Sequence, residues 1–407
     1  MNVKDRLFQA LNEEEVVELV RDLVRIPSHW ALPERELPLA RHLEEVFRKE
    51  KIEVRLQEAL PNRPNVIATL PGEGGGASLA LNGHTDTVPV AGMENPFAAE
   101  IRNGFMYGRG TADMKGGLGA MAYALIMLKR IGARLKGDLH FTGVIDEDSA
   151  GSEGTRHVIR NGPRTDFAIV GEPTRLEPVT AHNGIDYWKA SFIGKASHSS
   201  KPENGANAIY AASRFALKIG EGLAADYARI RHPLAGRPTV NAGLIKGCAE
   251  TNSPYLEGRS SSFAGVVPDR CDLYLDIRWS PLQAFAEVEA TVRKLAAEAA
   301  AESPGTAAIV EYIPLPRPPM DLASDTPLFR AVGNSLGEVL GIEAKPTGVP
   351  FWTDAGLLKG LAGIPSLVLG PGDISCAHAV DERVETRQLP QAALIYACTA
   401  VDLCGPA

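Results

Sequence analysis

Cysteine is scarce in this chain of 407 residues. Cys248, Cys271, Cys376, Cys398 and Cys404 are odd in number, scattered, and form no Cys-x-x-Cys pair. Neither a disulfide framework nor a cysteine-ligated zinc site fits that pattern. Long apolar runs are also missing: none reaches the ~18 to 20 residues needed to span a bilayer, and Gly116 to Leu128 has the length of a buried core helix. The N-terminus offers Lys4, Asp5 and Arg6 followed by acids where a secretory signal would need an apolar stretch, so a cytoplasmic protein is expected. There is no surplus of positive charge either. With 42 Lys and Arg against 50 Asp and Glu the net charge is -8, and no global field exists to hold nucleic acid or an anionic membrane.

What is present is the composition of a globular protein, 44% hydrophobic and 23% charged, in a chain long enough for two or three domains. Disorder, collagen and coiled coil are set aside. In the first half, helical spacing (Val16, Leu19, Val20, Leu23, Val24; then Leu39, Leu43, Val46, Phe47) precedes strand-like runs at 52–56, 65–70, 78–82, 138–145 and 166–170. The uncharged segment Gly116 to Leu128 fits a crossover helix buried against a sheet. From about Gly184 the texture becomes that of a small α+β layer, with helices at 206–219 and 285–301 and an alternating strand at 272–278. A loop rich in Ser and Gly, Thr251 to Gly265, lies between them. After the Pro-rich connection Pro314 to Pro319, α/β texture returns through 328–340, 365–369 and 389–403. These patterns predict an α/β domain of residues 1–183 and 315–407, interrupted by a smaller α+β domain at 184–314.

The polar residues with chemical potential follow predicted strands, where open α/β sheets carry their sites. His84-Thr85-Asp86 comes after Ser78 to Leu81; at a spacing of two, Asp86 can accept the ring N–H of His84 and aim the other nitrogen at a metal. A glycine-rich loop, Tyr107 to Gly117, carries Asp113 and opens the buried helix; lacking a phosphate-loop spacing, it suits a cation better than phosphate. Asp146-Glu147-Asp148 follows an apolar strand, Glu172 follows another, and Gly370-Pro371-Gly372-Asp373 leads to His378 and then Asp381-Glu382. Taken singly, His84 with Asp86 reads as a surface hydrogen bond and the three acids as a solvated turn. Together, two histidines and several strand-end acids have the donor types of a paired metal site.

In this order the five segments resemble the co-catalytic zinc hydrolases that include acetylornithine deacetylase, succinyl-diaminopimelate desuccinylase, aminoacylase and carboxypeptidase G. The resemblance runs from Leu23-Val24-Arg25-Ile26-Pro27-Ser28 to Glu382. It implies a catalytic domain with helices on both sides of a mixed sheet, interrupted by a lid or dimerisation domain. It also implies two Zn2+ per subunit, replaceable by Co2+ or Mn2+: His84, Asp113 and Glu172 would hold one, and Asp113, Asp148 and His378 the other. Glu147 would be the general base, Asp86 the partner of His84, and Gly372 part of a substrate-lining loop. A cis peptide at Asp113-Met114 is implied as well. The family usually has Glu-Glu where this chain has Glu147-Asp148, a departure that bears on metal separation or occupancy.

In the inserted domain, Gly194 to Pro202 carries His198, which by itself reads as structural. The resemblance makes it an oxyanion stabiliser acting on the partner subunit's active site, which implies a homodimer. Arg278 matches the position that binds the substrate carboxylate. The Asn usual before Val267-Pro268 is missing, since Gly265 and Val266 stand there, so the 251–265 loop bears on how the acyl group is read. The expected activity is hydrolysis of the amide C–N bond of N-acyl amino acids or short peptides with a free carboxylate. A metallo-carboxypeptidase or dipeptidase is the alternative within the family, and an inactive binding or scaffold homologue the alternative outside catalysis.

Overall fold

The structure, a computed structural model, describes residues 2–149, 151–249, 265–313 and 315–407. The loop expected at 251–265 lies outside these, apart from Gly265. The chain forms two compact units. One comprises Met1–Ala181, Met320–Gly348 and Thr353–Ala407, and the other His182–Pro319 with Val349–Trp352.

The first unit is built on a mixed sheet. Its heart is four parallel strands in the spatial order Leu139–Val144, Leu79–His84, Phe167–Val170 and Ser366–Val368. These strands are buried on both faces, so burial runs on from residue to residue instead of alternating, with polar residues such as Asn82, His140 and Thr142 buried among the apolar ones. On one side Arg63–Leu70 and Glu53–Leu60 continue the sheet antiparallel. Helices fall into two packed groups that each touch the sheet. Gly116–Arg130 lies with Gln388–Cys404 and Glu13–Arg25, while Glu153–Asn161 lies with Ala355–Ala362. Gly116 to Leu128 is wholly buried, as its lack of charge requires.

The connection order decides where a site can form. From Leu79–His84 the chain crosses to Leu139–Val144 on one side and then returns to Phe167–Val170 on the other. The order reverses at the end of Leu79–His84. That reversal opens a crevice at the carboxyl ends of the strands.

In the second unit the antiparallel strands Thr239–Cys248, Arg270–Trp279, Gly184–Ile193 and Ala307–Tyr312 form one sheet in that order. Along Arg270–Trp279 every second residue is buried: Cys271, Leu273, Leu275, Ile277 and Trp279 face the core with Trp188, Phe192 and Phe215. Helices Ala208–Leu217 and Phe285–Ala301 close that core. The strand Thr239–Cys248 escapes sequence reading because most of it is exposed and no alternation marks it.

Leu275→Ala should therefore lower stability by about 2–5 kcal/mol, since a side chain 1% exposed leaves a cavity behind. Leu282→Ala, at a residue 59% exposed, should change it by less than about 0.5 kcal/mol. Denaturant titration of the two variants would overturn this packing account if their losses were equal.

Candidate metal centre

His84, Asp113, Glu147, Asp148, Glu172 and His378 lie together at the crevice, while Asp373 and Asp381 pair instead with Arg175 and Arg383. His84 ends its strand, and Glu147 and Asp148 follow Leu139–Val144. Glu172 follows Phe167–Val170, and His378 lies beyond Ser366–Val368. Asp113 is carried in from the loop before Gly116–Arg130.

Asp113 stands between the two histidines. Its Oδ1 is 2.9 Å from His84 Nε2, and its Oδ2 is 3.3 Å from His378 Nε2. His84 Nε2 also lies 3.4 Å from Glu172, and His378 Nε2 lies 3.1 Å from Asp148. Two donors bound to one tetrahedral zinc at ~2.0–2.1 Å stand roughly 3.3 Å apart, so these separations suit shared ions. The ligand atoms of His84, Glu147 and Glu172 lie within 4.8 Å of one another, as do those of His84, Asp113 and Asp148. Asp148 Oδ2 is buried without a hydrogen-bond partner among the described residues, a carboxylate oxygen left for something other than protein.

The electrostatics agree. Burial pushes the Glu147 and Glu172 carboxyls well above the usual range, Glu172 adding to the first and Asp113 to the second. Burial opposes ionisation of Asp113 too, but hydrogen bonds from His378 and His84 hold it well below its ordinary value. His378, whose side chain is 54% exposed, is raised to about 10 by its hydrogen bonds to Asp113 and Asp148. His84 is fully buried, which works against its charge, yet Glu172 and Asp113 raise it well above 6.5. The protein thus gathers acids around two imidazoles, whose protons balance part of that charge and would have to leave before a metal is bound.

The partnership of His84 with Asp86 takes another form from the one its spacing suggests. His84 Nδ1 faces the main-chain carbonyl of Asp86 at 2.9 Å, while the nearer carboxylate oxygen is 3.7 Å away. That carboxylate instead accepts from the backbone N–H groups of Glu147 and Ser149, at 3.1 and 3.2 Å. Burial pushes Asp86 up to about 8. Gly372 takes φ +93, and its N–H donates to Gln388 at 2.8 Å. The peptide Asp113-Met114 is cis.

Some contributors were given no role from the sequence. Glu382, named there only as an acid following His378, is fully buried. It accepts from Arg109 and from the backbone N–H groups of Ala112 and Asp113, at 3.0 and 3.1 Å for the latter two, and so fixes the Asp113 loop. The pairing of Arg383–Glu385 with Phe105–Tyr107 brings it there. Lys115 is likewise buried and donates to the carbonyls of Leu23 and Ile26 at 3.1 and 2.6 Å. Asp354 accepts from Thr155 at 2.6 Å, and its charge helps to raise Glu147 and Glu172.

Comparison with known proteins agrees with this geometry. The profile of peptidase family M20/M25/M40 matches residues 80–402. The chain belongs to that family. It is 31% identical over 384 residues to an acetylornithine deacetylase of Shigella sonnei (strain Ss046), covering 91% of this chain and 93% of that protein. The fold is shared with aminopeptidase PepT from Bacillus cereus ATCC 10987 at a TM-score of 0.78 and 22% identity, over 97% of this chain and 100% of the other. It is also shared with the M20 family metallo-carboxypeptidase Sso-CP2 from Sulfolobus solfataricus at 0.74 and 20%, over 96% and 99%. As a member of this family the chain is a metal-dependent hydrolase.

His198 and Arg278 belong to the second unit. His198 is exposed, and the turn around it is held by Ser199 N–H to Gly265 and Val267 N–H to Ser197, at 3.0 and 2.8 Å. Its Nδ1 accepts from Ser200 N–H at 3.1 Å, so in the neutral ring Nε2 carries the proton and is a donor. Arg278 directs Nε and Nη2 at Asp276, at 3.0 and 3.3 Å. A substrate carboxylate would compete with Asp276 for that fork.

Metal uptake should be strongly pH-dependent. His378, charged below about 10, must lose its proton before it can ligate, so zinc affinity should rise as pH rises from 6.5 towards 10. Calorimetric titration of metal-free protein in buffers of different ionisation enthalpy would detect the released protons; flat affinity and no release over that range would exclude His378 as a ligand.

Proposed function

We propose that the chain is a di-zinc amidohydrolase that cleaves the amide C–N bond of N-acyl amino acids, as a deacetylase or desuccinylase would. The observation that carries this is the Asp113 carboxylate, one oxygen on each histidine, with Glu172 beside His84 and Asp148 beside His378. Supporting the acyl amino acid as substrate is the likeness to an acetylornithine deacetylase over nearly the full length of both chains. Two zinc ions would supply Lewis-acid polarisation of the amide carbonyl and a water of lowered pKa. His84, Asp113 and Glu172 would hold one, and Asp113, Asp148 and His378 the other; Co2+ or Mn2+ could take their place.

The chain's own residues do the rest. Glu147, unligated in this assignment and with its carboxyl raised by its surroundings, takes the proton of the attacking water and passes it to the departing nitrogen. Asp86 holds the backbone on both sides of Asp148 and, through its carbonyl, the orientation of the His84 ring. Gly372 lines the substrate; its left-handed φ would strain any L side chain, and a Cβ there would stand 3.3 Å from Ala112 Cα. Arg278 receives the substrate carboxylate in exchange for Asp276. His198 donates from Nε2 to the developing oxyanion of the partner's substrate, the second unit serving as lid and dimerisation domain.

A homodimer is supported by the sheet of that unit. Strand Thr239–Cys248 pairs only with Arg270–Trp279 among the described residues and exposes Leu244 and Ile245, and Tyr210 of the neighbouring helix is 63% exposed. Five cysteines without a disulfide accord with a cytoplasmic location.

Glu147→Gln should lower kcat by roughly 10²–10⁴-fold at unchanged metal content. Near wild-type turnover with both metals bound would exclude Glu147 as base. A panel of N-acetyl and N-succinyl amino acids, C-terminally extended acyl peptides and dipeptides compared by kcat/KM separates a deacylase from a carboxypeptidase or dipeptidase; we expect the acyl amino acids to lead. For assembly, light scattering should give twice the monomer mass, and Ile245→Asp should halve it. A monomeric wild type would remove the role given to His198.

A further inference from the structure

Of the three consecutive acids Asp146, Glu147 and Asp148, the proposed chemistry uses two. Asp146 is set apart by its backbone: φ is +73, in the left-handed region that L side chains seldom adopt. Its carboxylate accepts from Arg63 Nη1 at 2.9 Å and from Ser149 Oγ at 2.5 Å. Its carbonyl accepts from Gly151 N–H and Ser152 N–H at 3.1 and 2.6 Å. A Cβ at Gly151 would stand 1.8 Å from Asp146 Oδ2, so only glycine at 151 leaves room for the carboxylate there.

Arg63 is itself held from behind. Its Nε and Nη2 donate to the two oxygens of Glu36, at 2.9 and 2.5 Å, the two-pronged geometry that fixes a guanidinium in plane. Glu36 is fully buried and precedes the helix Leu37–Lys49, yet its side chain makes no capping bond there; it is committed to Arg63. Two residues along the same strand, Asn65 accepts from Ile145 N–H at 3.2 Å and donates to the Gly154 carbonyl at 2.9 Å. Backbone on both sides of the acids is thus anchored to the start of strand Arg63–Leu70. One left-handed residue immediately upstream sets the direction of the two that follow.

We propose that Arg63 and Asp146 are positioning residues of the metal centre: the buried chain Glu36–Arg63–Asp146 locks the turn that aims Glu147 at the reacting water and Asp148 at the second metal. The inference rests on the roles given to Glu147 and Asp148 above, and it assigns to the first of the three acids a task that touches neither substrate nor metal. It also accounts for an Asp, rather than a glycine, at a left-handed position. Glycine would permit the turn but leave it free to swing, whereas the Asp side chain ties it down.

The test uses the full chain. Metal-free wild type, Asp146→Gly, Asp146→Asn and Arg63→Lys are titrated with Co2+ and followed by visible absorbance, alongside thermal melting and steady-state kinetics. Asp146→Gly keeps the permitted φ and removes the anchor. It should weaken the site containing Asp148 by about 10–100-fold while leaving the site of Glu172 within about twofold. With both sites filled, kcat should fall by up to about a hundredfold with KM within about twofold, because a base moved by ~1 Å loses rate rather than binding. Asp146→Asn, which still accepts from Arg63, should recover part of both losses, and Arg63→Lys, which cannot grip Glu36 and Asp146 together, should resemble the glycine variant. Wild-type Co2+ affinity and kcat in Asp146→Gly would overturn the proposal, and so would a lower melting temperature with unchanged kcat and metal affinity. If the wild type hydrolyses no acyl amino acid or peptide, the functional reading fails, while the Co2+ titration still decides whether the acids are positioned in this way.

Discussion

Acids converge at the carboxyl ends of the parallel strands, and their mutual repulsion is the constraint to which much of the surrounding structure responds. Asp113, Glu147, Asp148 and Glu172 are close enough to perturb one another's ionisation. Two imidazoles on either side of Asp113 relieve part of that repulsion within the protein. The backbone supplies more: N–H groups turn towards Asp86 and Glu382, and the Arg109 guanidinium also donates to Glu382. In the proposed assignment the carboxylates in contact with imidazole are those that would hold metal.

Much of the scaffold was legible in the sequence because burial leaves a pattern. Gly116 to Leu128 has no charge and becomes a buried helix, and 285–301 shows the spacing of the helix found there. The alternation at 272–278 belongs to a strand with one buried face. The position of acids and histidines after apolar runs was legible in the same way, but their grouping into one ligand set was implied only by the resemblance, since singly they read as a surface hydrogen bond and a solvated turn. Arg63, Asp354 and the buried role of Glu382 were not legible. Their importance lies in burial and in partners far away in sequence, and nothing in Asp381-Glu382-Arg383 or Asn62-Arg63-Pro64 distinguishes a buried charge from a solvated one. The carboxylate of Asp86 was misdirected by local reasoning: a spacing of two places it near His84, but the loop after Leu139–Val144 competes for it and wins by offering two backbone donors.

The second unit speaks to specificity in a different way. Arg278 is already engaged by Asp276 two residues away on the same strand, and the Nδ1 of His198 is already engaged by Ser200. Both residues are held by their own neighbours before any substrate arrives. Under the proposed function Arg278 would exchange one carboxylate for another, which would disfavour ligands without a carboxylate. His198 would then donate from a tautomer set in advance, with no rearrangement of protons.

The interleaving of the chain has a temporal consequence. Residues of one small crevice come from positions 84, 113, 147–148, 172 and 378, and an entire second unit is threaded between the last two. During synthesis the acids emerge first and their second imidazole emerges near the end, after Ser366–Val368 is available to complete the parallel strands. Until then Asp113 and Asp148 have no His378 beside them, and the crevice is an unbalanced knot of negative charge. If these residues hold the metals as proposed, complete binding of metal would report that the whole first unit has been assembled, and nascent or truncated chains would lack the full set of donors.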